Sequence, residues 1–131
     1  MGETQALMMD LGFAGQPVVG TEFGFTVAIR FGGGFELRVE TPFALCVDGF
    51  DREVEPGRHG DAPAVTQLTG HVVSLASADD SGGLRIDFAA GGRLTAGPDS
   101  SFEAWTVAGP HGFKVVCGPA GELSVWSPHN D

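Results

Sequence analysis

Glu103 and Trp105, in the run Phe102-Glu103-Ala104-Trp105, are the residues whose types and spacing come nearest to a chemical site. In an extended strand, residues two apart share a face, so the carboxylate would stand beside the indole with Phe102 and Ala104 opposite. Apolar walls would raise the Glu103 pKa toward general-acid use, and a carboxylate beside an aromatic ring can also hold a ligand. The competing expectation is a packed aromatic at a sheet edge with a solvated carboxylate. It is favoured because Glu103 has no second catalytic group near it in sequence. No catalytic residue is therefore assigned, and Glu103 and Trp105 are carried forward as a ligand or partner surface.

Other patterns that could carry chemistry are weaker. His59, His71, His111 and His129 show no metal-ligand spacing. A zinc site would have to gather them from distant strands with Cys46 or Cys117, so no metal and no cofactor are expected. The glycine runs Gly32-Gly33-Gly34 and Gly91-Gly92 lack the Lys-Ser/Thr of a phosphate loop and precede strands, so no helix N-terminus would cradle a phosphate. No Gly-x-Ser-x-Gly elbow is present. Asp79-Asp80-Ser81-Gly82-Gly83 has the composition of a calcium loop but no bidentate Glu at the required distance, and a hairpin turn explains it better.

The elements that would position these residues follow from composition and pattern. The chain has 131 residues, suited to one domain, and its hydrophobic share of 42% supports a core without disulfide or metal staples. With 21 glycines, some of them adjacent between apolar runs (Gly32-Gly33-Gly34, Gly82-Gly83, Gly91-Gly92), the pattern reads as β-hairpins. Seven Lys and Arg stand against 17 Asp and Glu, a formal charge of −10. That balance disfavours nucleic acid and would steer a basic partner. Cys46 and Cys117 each lie in an apolar run and are expected to be buried free thiols. The N-terminus has no signal-peptide pattern and no apolar run approaches a membrane span, so a cytoplasmic protein without membrane contact is expected.

Alternation is clearest over Phe25-Thr26-Val27-Ala28-Ile29-Arg30-Phe31, which places Phe25, Val27, Ile29 and Phe31 on one face of a strand. Phe35, Leu37 and Val39 then alternate with Glu36, Arg38 and Glu40, and Phe43 to Val47 forms the next strand. This segment is echoed downstream. Ile29, Phe31 and Leu37 match Ile86, Phe88 and Leu94 at a constant offset of 57 (86 − 29). Gln16 to Gly20 is echoed by Gly70 to Ser74, and Phe43-Ala44-Leu45-Cys46 meets Phe102-Glu103-Ala104-Trp105 at 59 (102 − 43). The expected architecture is all-β: a single domain, 1–131, with a duplication over about 16–47 and 70–107. Two related four-stranded units would form a sandwich or open barrel, followed by a C-terminal hairpin. The connector 48–69 reads as a polar, mobile loop over 48–62 and a short helix entered at Asp61-Ala62-Pro63 and stopped by Gly70.

Phe102-Glu103-Ala104-Trp105, then Gly109-Pro110-His111-Gly112, then Pro119-Ala120-Gly121-Glu122-Leu123-Ser124-Val125-Trp126 resembles the ending of a family of small actinobacterial proteins of unknown function. Phe35-Glu36-Leu37-Arg38-Val39-Glu40-Thr41-Pro42-Phe43 fits the same family. The resemblance covers about residues 15–126 and departs at Ala120 and Ser124. It implies no catalytic residues. Relatives of this sort are similar in size and composition to immunity proteins of bacterial toxin systems, which is an analogy of scale.

Three functions follow as expectations. The first is a small acidic binding protein, for example an immunity-type inhibitor acting through protein–protein contact. Asp51, Glu53 and Glu55, with Asp48, would steer its partner from the exposed loop. The second is a homodimer whose edge strands pair. The third is a small-ligand binder or enzyme with a pocket near Glu103 and Trp105.

Overall fold

The computed structural model describes residues 8–129. Its strands are β1 (Met8–Asp10), β2 (Val18–Phe23), β3 (Val27–Phe31), β4 (Glu36–Val39), β5 (Phe43–Val47) and β6 (Phe50–Val54). After the helix α1 (Ala62–Thr66) come β7 (Val73–Asp79), β8 (Leu84–Phe88), β9 (Arg93–Ala96), β10 (Trp105–Ala108), β11 (Lys114–Cys117) and β12 (Leu123–Trp126). They form two six-stranded antiparallel sheets, ordered β1-β7-β8-β9-β5-β6 and β12-β11-β10-β4-β3-β2. The inward positions of both sheets, among them Ile29, Leu37, Leu45, Ile86, Leu94 and Val107, share one core. This is the all-β class, in the two-sheet, sandwich-like form.

The wiring of the sheets repeats. β2-β3-β4 is a meander, after which β5 leaves to pair with β9 in the other sheet. β7-β8-β9 is a second meander, after which β10 leaves to pair with β4. Each sheet thus combines three strands from one half with the departing strand of the other. A register shift falls between Val18 and Gly20 in β2 and between Val73 and Leu75 in β7, the same place in each meander.

The halves touch through matched backbone bonds. The Val18 N–H donates to His71 O at 2.8 Å, and the Val73 N–H donates to Gln16 O at 2.9 Å. Gly70 N–H donates to Val18 O at 2.8 Å, and Gly15 N–H to Val73 O at 2.6 Å. Within each pair, one bond maps onto the other at an offset of 55 (73 − 18). Pro17 and Val72, also 55 apart (72 − 17), bridge directly.

Several sequence expectations are corrected. Phe25 is 95% exposed, because Gly24 N–H bonds Thr26 O at 3.0 Å and turns the chain there; the strand begins only at Val27. The departing strands align at 62 (106 − 44) and not at 59, since Arg38 pairs with Thr106 while its counterpart Thr95 pairs with Ala44. The cause is Asp99. Its carboxylate accepts the Ser101 and Phe102 amides at 2.8 and 2.9 Å, holding Phe102 in a turn, exposed. The supposed loop 48–62 contains β6, paired along its whole length with β5. Asp48 and Gly49 both have positive φ, 53° and 82°, the geometry of a two-residue hairpin turn that matches strand twist.

α1 buries Ala64 and Val65, with Leu68 just beyond it, and packs beside β2. The helix stops earlier than expected, at Thr66 with Gln67 as its C-cap, and turns carry the chain on to Gly70, at φ 93°. Among the described residues no helix is long and apolar enough to cross a membrane, a statement that does not bear on strands.

Candidate functional site

Trp105 and Glu103 do not make a common surface. Trp105 opens β10 and is wholly buried; its Nε1–H donates to Gly82 O at 3.0 Å. Cys117 Sγ lies 3.4 Å from the same carbonyl, so the β7–β8 turn of one sheet is fastened to β10 and β11 of the other. Glu103 precedes the strand and is exposed. It lines a cleft of about 420 Å³ on the outer face of the second sheet, whose indole is that of Trp126. Thr106, Lys114, Glu122 and Ser124 share that cleft, and Lys114 Nζ sits 5.7 Å from the Trp126 ring centre.

The acids expected on a loop stand instead on an edge strand. Antiparallel partners share a face, so pairing of Cys46 with Asp51 and Ala44 with Glu53 turns both acids to the outer side of the sheet. Arg52 points inward with Val54. Its guanidinium lies 3.4 Å from Asp61, whose side chain is almost wholly buried. The Asp61 carboxylate also accepts Arg58 Nε–H at 2.7 Å and the Glu55 N–H at 2.9 Å. Those bonds, the Glu55 amide foremost, hold its carboxyl below the usual range, with the charges of Arg58 and Arg52 adding to the effect. Asp61 precedes α1 yet caps no amide of the helix. It is a structural node joining β6, the connector and α1. Glu55 is drawn into it through Arg58 at 3.2 Å, which leaves it less available to a partner than Asp51 and Glu53.

Between the β5–β6 hairpin and α1 lies a cleft of about 440 Å³, walled by Leu45, Val47, Phe50, Pro63 and Ala64 and rimmed by Asp51, Arg52 and Gln67. Its volume is that of a ligand site, roughly 300–1,000 Å³. Phe50, at the hairpin tip, is 73% exposed, an aromatic the loop expectation passed over. The Asp48-Gly49 dipeptide before it was the available signal.

The two cysteines have opposite environments. Cys117 is buried as expected, and desolvation raises its pKa, with the charge of Asp79 adding to the rise. Cys46 is exposed, contrary to expectation, because its apolar run Phe43–Val47 alternates and only Phe43, Leu45 and Val47 face the core. Hydrogen bonding to the Asp51 carboxylate raises the Cys46 pKa first, with partial burial and the Asp51 charge adding and Arg93 opposing. A thiol held protonated in this way is a poor nucleophile. Among the described residues, no group of three or more His, Cys, Asp or Glu is placed to hold a metal ion. His71 packs edge-on against Phe88, with ring centres 5.8 Å apart.

Fold and surfaces together define an acidic two-sheet β domain with shallow clefts on its outside. A sequence model of a family of unknown function (DUF6188) matches residues 9–127, and the chain belongs to that family. No curated protein and no solved structure gives a significant match.

Proposed function

We propose that this protein is a binding domain that holds a basic protein partner through its β5–β6 hairpin. The observation that carries the reading is Phe50, 73% exposed at the hairpin tip beside an apolar cleft, with Asp48, Asp51 and Glu53 on the same hairpin. An exposed aromatic ringed by like charges is a suitable anchor: the ring supplies buried area and the acids supply steering. Arg93, which stands across β5 from Asp51, is drawn to Asp87, a carboxylate it shares with Arg85. Arg30, Arg38, Arg52, Arg58, Arg85 and Arg93 are all ion-paired to carboxylates of this chain. The same pairing leaves no free arginine for a nucleic-acid backbone. Inhibition of the immunity type, in which a basic enzyme is masked, is the specific activity this balance suits.

The reading also takes residues 1–131 as one domain whose halves, about 16–47 and 70–107, are copies of one unit joined by 48–69. The matched bonds at Val18 and Val73 support it.

The test is an NMR titration with a short oligolysine peptide ending in leucine. Shifts concentrated over Asp48–Val54 and α1 are expected. A variant carrying Asp48→Asn, Asp51→Asn and Glu53→Gln should bind more weakly, with a flatter salt dependence and a nearly unchanged melting temperature. Shifts spread evenly over the surface, or centred elsewhere, would overturn the hairpin as the contact site.

A further inference from the structure

Four strands stand at sheet edges: β1 and β6 in one sheet, β2 and β12 in the other. An edge exposes unpaired N–H and C=O groups, and proteins blunt such edges with charge, bulges, cover or shortness. β1 is three residues long. β6 carries Asp51, Arg52 and Glu53. β2 is irregular at Val19 and packed beside α1. β12, Leu123-Ser124-Val125-Trp126, has no charge and pairs with β11 without a register shift, and among the described residues no strand lies on its other side. Val125 is 46% and Trp126 51% exposed.

The backbone of β12 is aimed. Gly118 N–H donates to Glu122 O at 2.7 Å at the start of the β11–β12 ladder. Antiparallel pairing alternates, so Ser124 and Trp126 turn their peptide groups to β11 while Leu123 and Val125 turn theirs outward.

We propose that β12 pairs antiparallel with β12 of a second copy of this chain, about a two-fold axis at Ser124, joining two six-stranded sheets edge to edge. In a continuous sheet, opposed residues share a face, which confines Glu122, Ser124 and Trp126 to meeting one another. With Ser124 on the axis, Leu123 lies opposite Val125 of the second copy, and both present outward-turned peptide groups that can exchange hydrogen bonds. Glu122 then lies opposite Trp126 of the second copy, whose ring carries Lys114, its partner across the β11–β12 ladder. Each copy thus brings a carboxylate to the other's ammonium, twice by symmetry. In a chain of net charge −10, contact with a second copy is opposed wherever acids face acids. This edge is self-complementary in charge, which selects a second copy over a basic partner. The axis one residue later, at Val125, would set Ser124 against Trp126 and lose that pairing. This interface is separate from the β5–β6 hairpin, so either can fail without the other.

Light scattering over a concentration series reaching the millimolar range tests the association. The expected result is a rise from 13.6 kDa toward twice that mass. Hydrogen exchange should slow with concentration at the Leu123 and Val125 amides and not at Ser124. Val125→Pro removes an outward N–H and no bond to β11, so it should give a folded monomer. If melting shows that variant misfolded, Val125→Lys gives the same readout by placing charge on the edge. Glu122→Lys and Lys114→Glu should each weaken association, and the two together should restore it. A wild-type protein monomeric throughout, or a dimer indifferent to Val125→Pro and Val125→Lys, overturns the interface. A double reversal no better than the worse single change overturns the Ser124 register.

Discussion

The indole N–H of Trp105 donates to the carbonyl oxygen of Gly82 at 3.0 Å, tying β10 of one sheet to the β7–β8 turn of the other. The bond is buried, and its acceptor turn is itself organised by Asp79, whose Oδ1 accepts from Ser81 Oγ at 2.6 Å and from the Gly83 amide at 2.9 Å. Trp105→Ala should cost about 3–5 kcal/mol through lost packing. Trp105→Phe keeps most of the ring volume but leaves the buried Gly82 carbonyl only the weaker Cys117 thiol as a donor, costing about 1 kcal/mol. Urea unfolding measures both, and equal losses for the two variants would show that the bond, not the packing, dominates.

Gly82 itself is irreplaceable for two reasons. Its φ is 95°, and a Cβ there would meet Gly121 Cα at 2.6 Å. Gly91, at φ 98°, has nothing within 4 Å of where a Cβ would stand. Gly91→Ala should therefore cost about 1 kcal/mol, the backbone contribution alone, and Gly82→Ala distinctly more. Thermal unfolding of the pair separates strain from crowding, and equal melting temperatures would remove the crowding argument.

Acid should weaken the fold through Asp61. Its folded pKa lies below the unfolded value of about 3.9, owing to the Glu55 amide and then Arg58 and Arg52. The stabilisation is whole above the unfolded value and is lost as pH falls through the folded one. Asp61→Asn should be less stable than wild type at neutral pH, and the gap should narrow as pH drops below about 4. Asp79 and Asp87, also lowered, should keep part of the acid sensitivity in the variant. A gap constant from pH 7 to 3 would remove Asp61 as a source of the acid sensitivity.

Thiol chemistry should separate the cysteines. Cys46 is exposed and Cys117 buried, so a maleimide should label one site in the native protein and two after unfolding. Labelling of Cys46 should be slow at neutral pH and rise steeply toward pH 9, because Asp51 holds the thiol protonated. Asp51→Asn should speed it. Native labelling of Cys117 would contradict the packing beneath Gly82.

Faces were legible in the sequence; neighbours were not. Ile29, Leu37, Ile86 and Leu94 all lie in the core, because alternation fixes which side of a strand is apolar. Nothing in β5 or β10 says that each joins the sheet of the other half, since that choice depends on pairing between residues far apart in the chain. Phe25 continued the alternation past the end of its strand, where only the Gly24 turn marks the boundary. Charge density hid β6: four acids within Asp48–Glu55 read as loop, although Asp48-Gly49 marks a hairpin. The candidate site suffered most from register. Three extra residues before β10 buried Trp105 away from Glu103 and gave Glu103 a different indole, that of Trp126.

The departure of β5 and β10 into each other's sheets makes the chain a clasp. β5 is held between β9 and β6, and β10 between β4 and β11. A protease nick in the connector between Val54 and Val73 would cut the covalent path from one half to the other and still leave them interlocked by both exchanged strands. The pieces would part on a denaturing gel but travel together in native buffer, because separating them requires unzipping a central strand from each sheet.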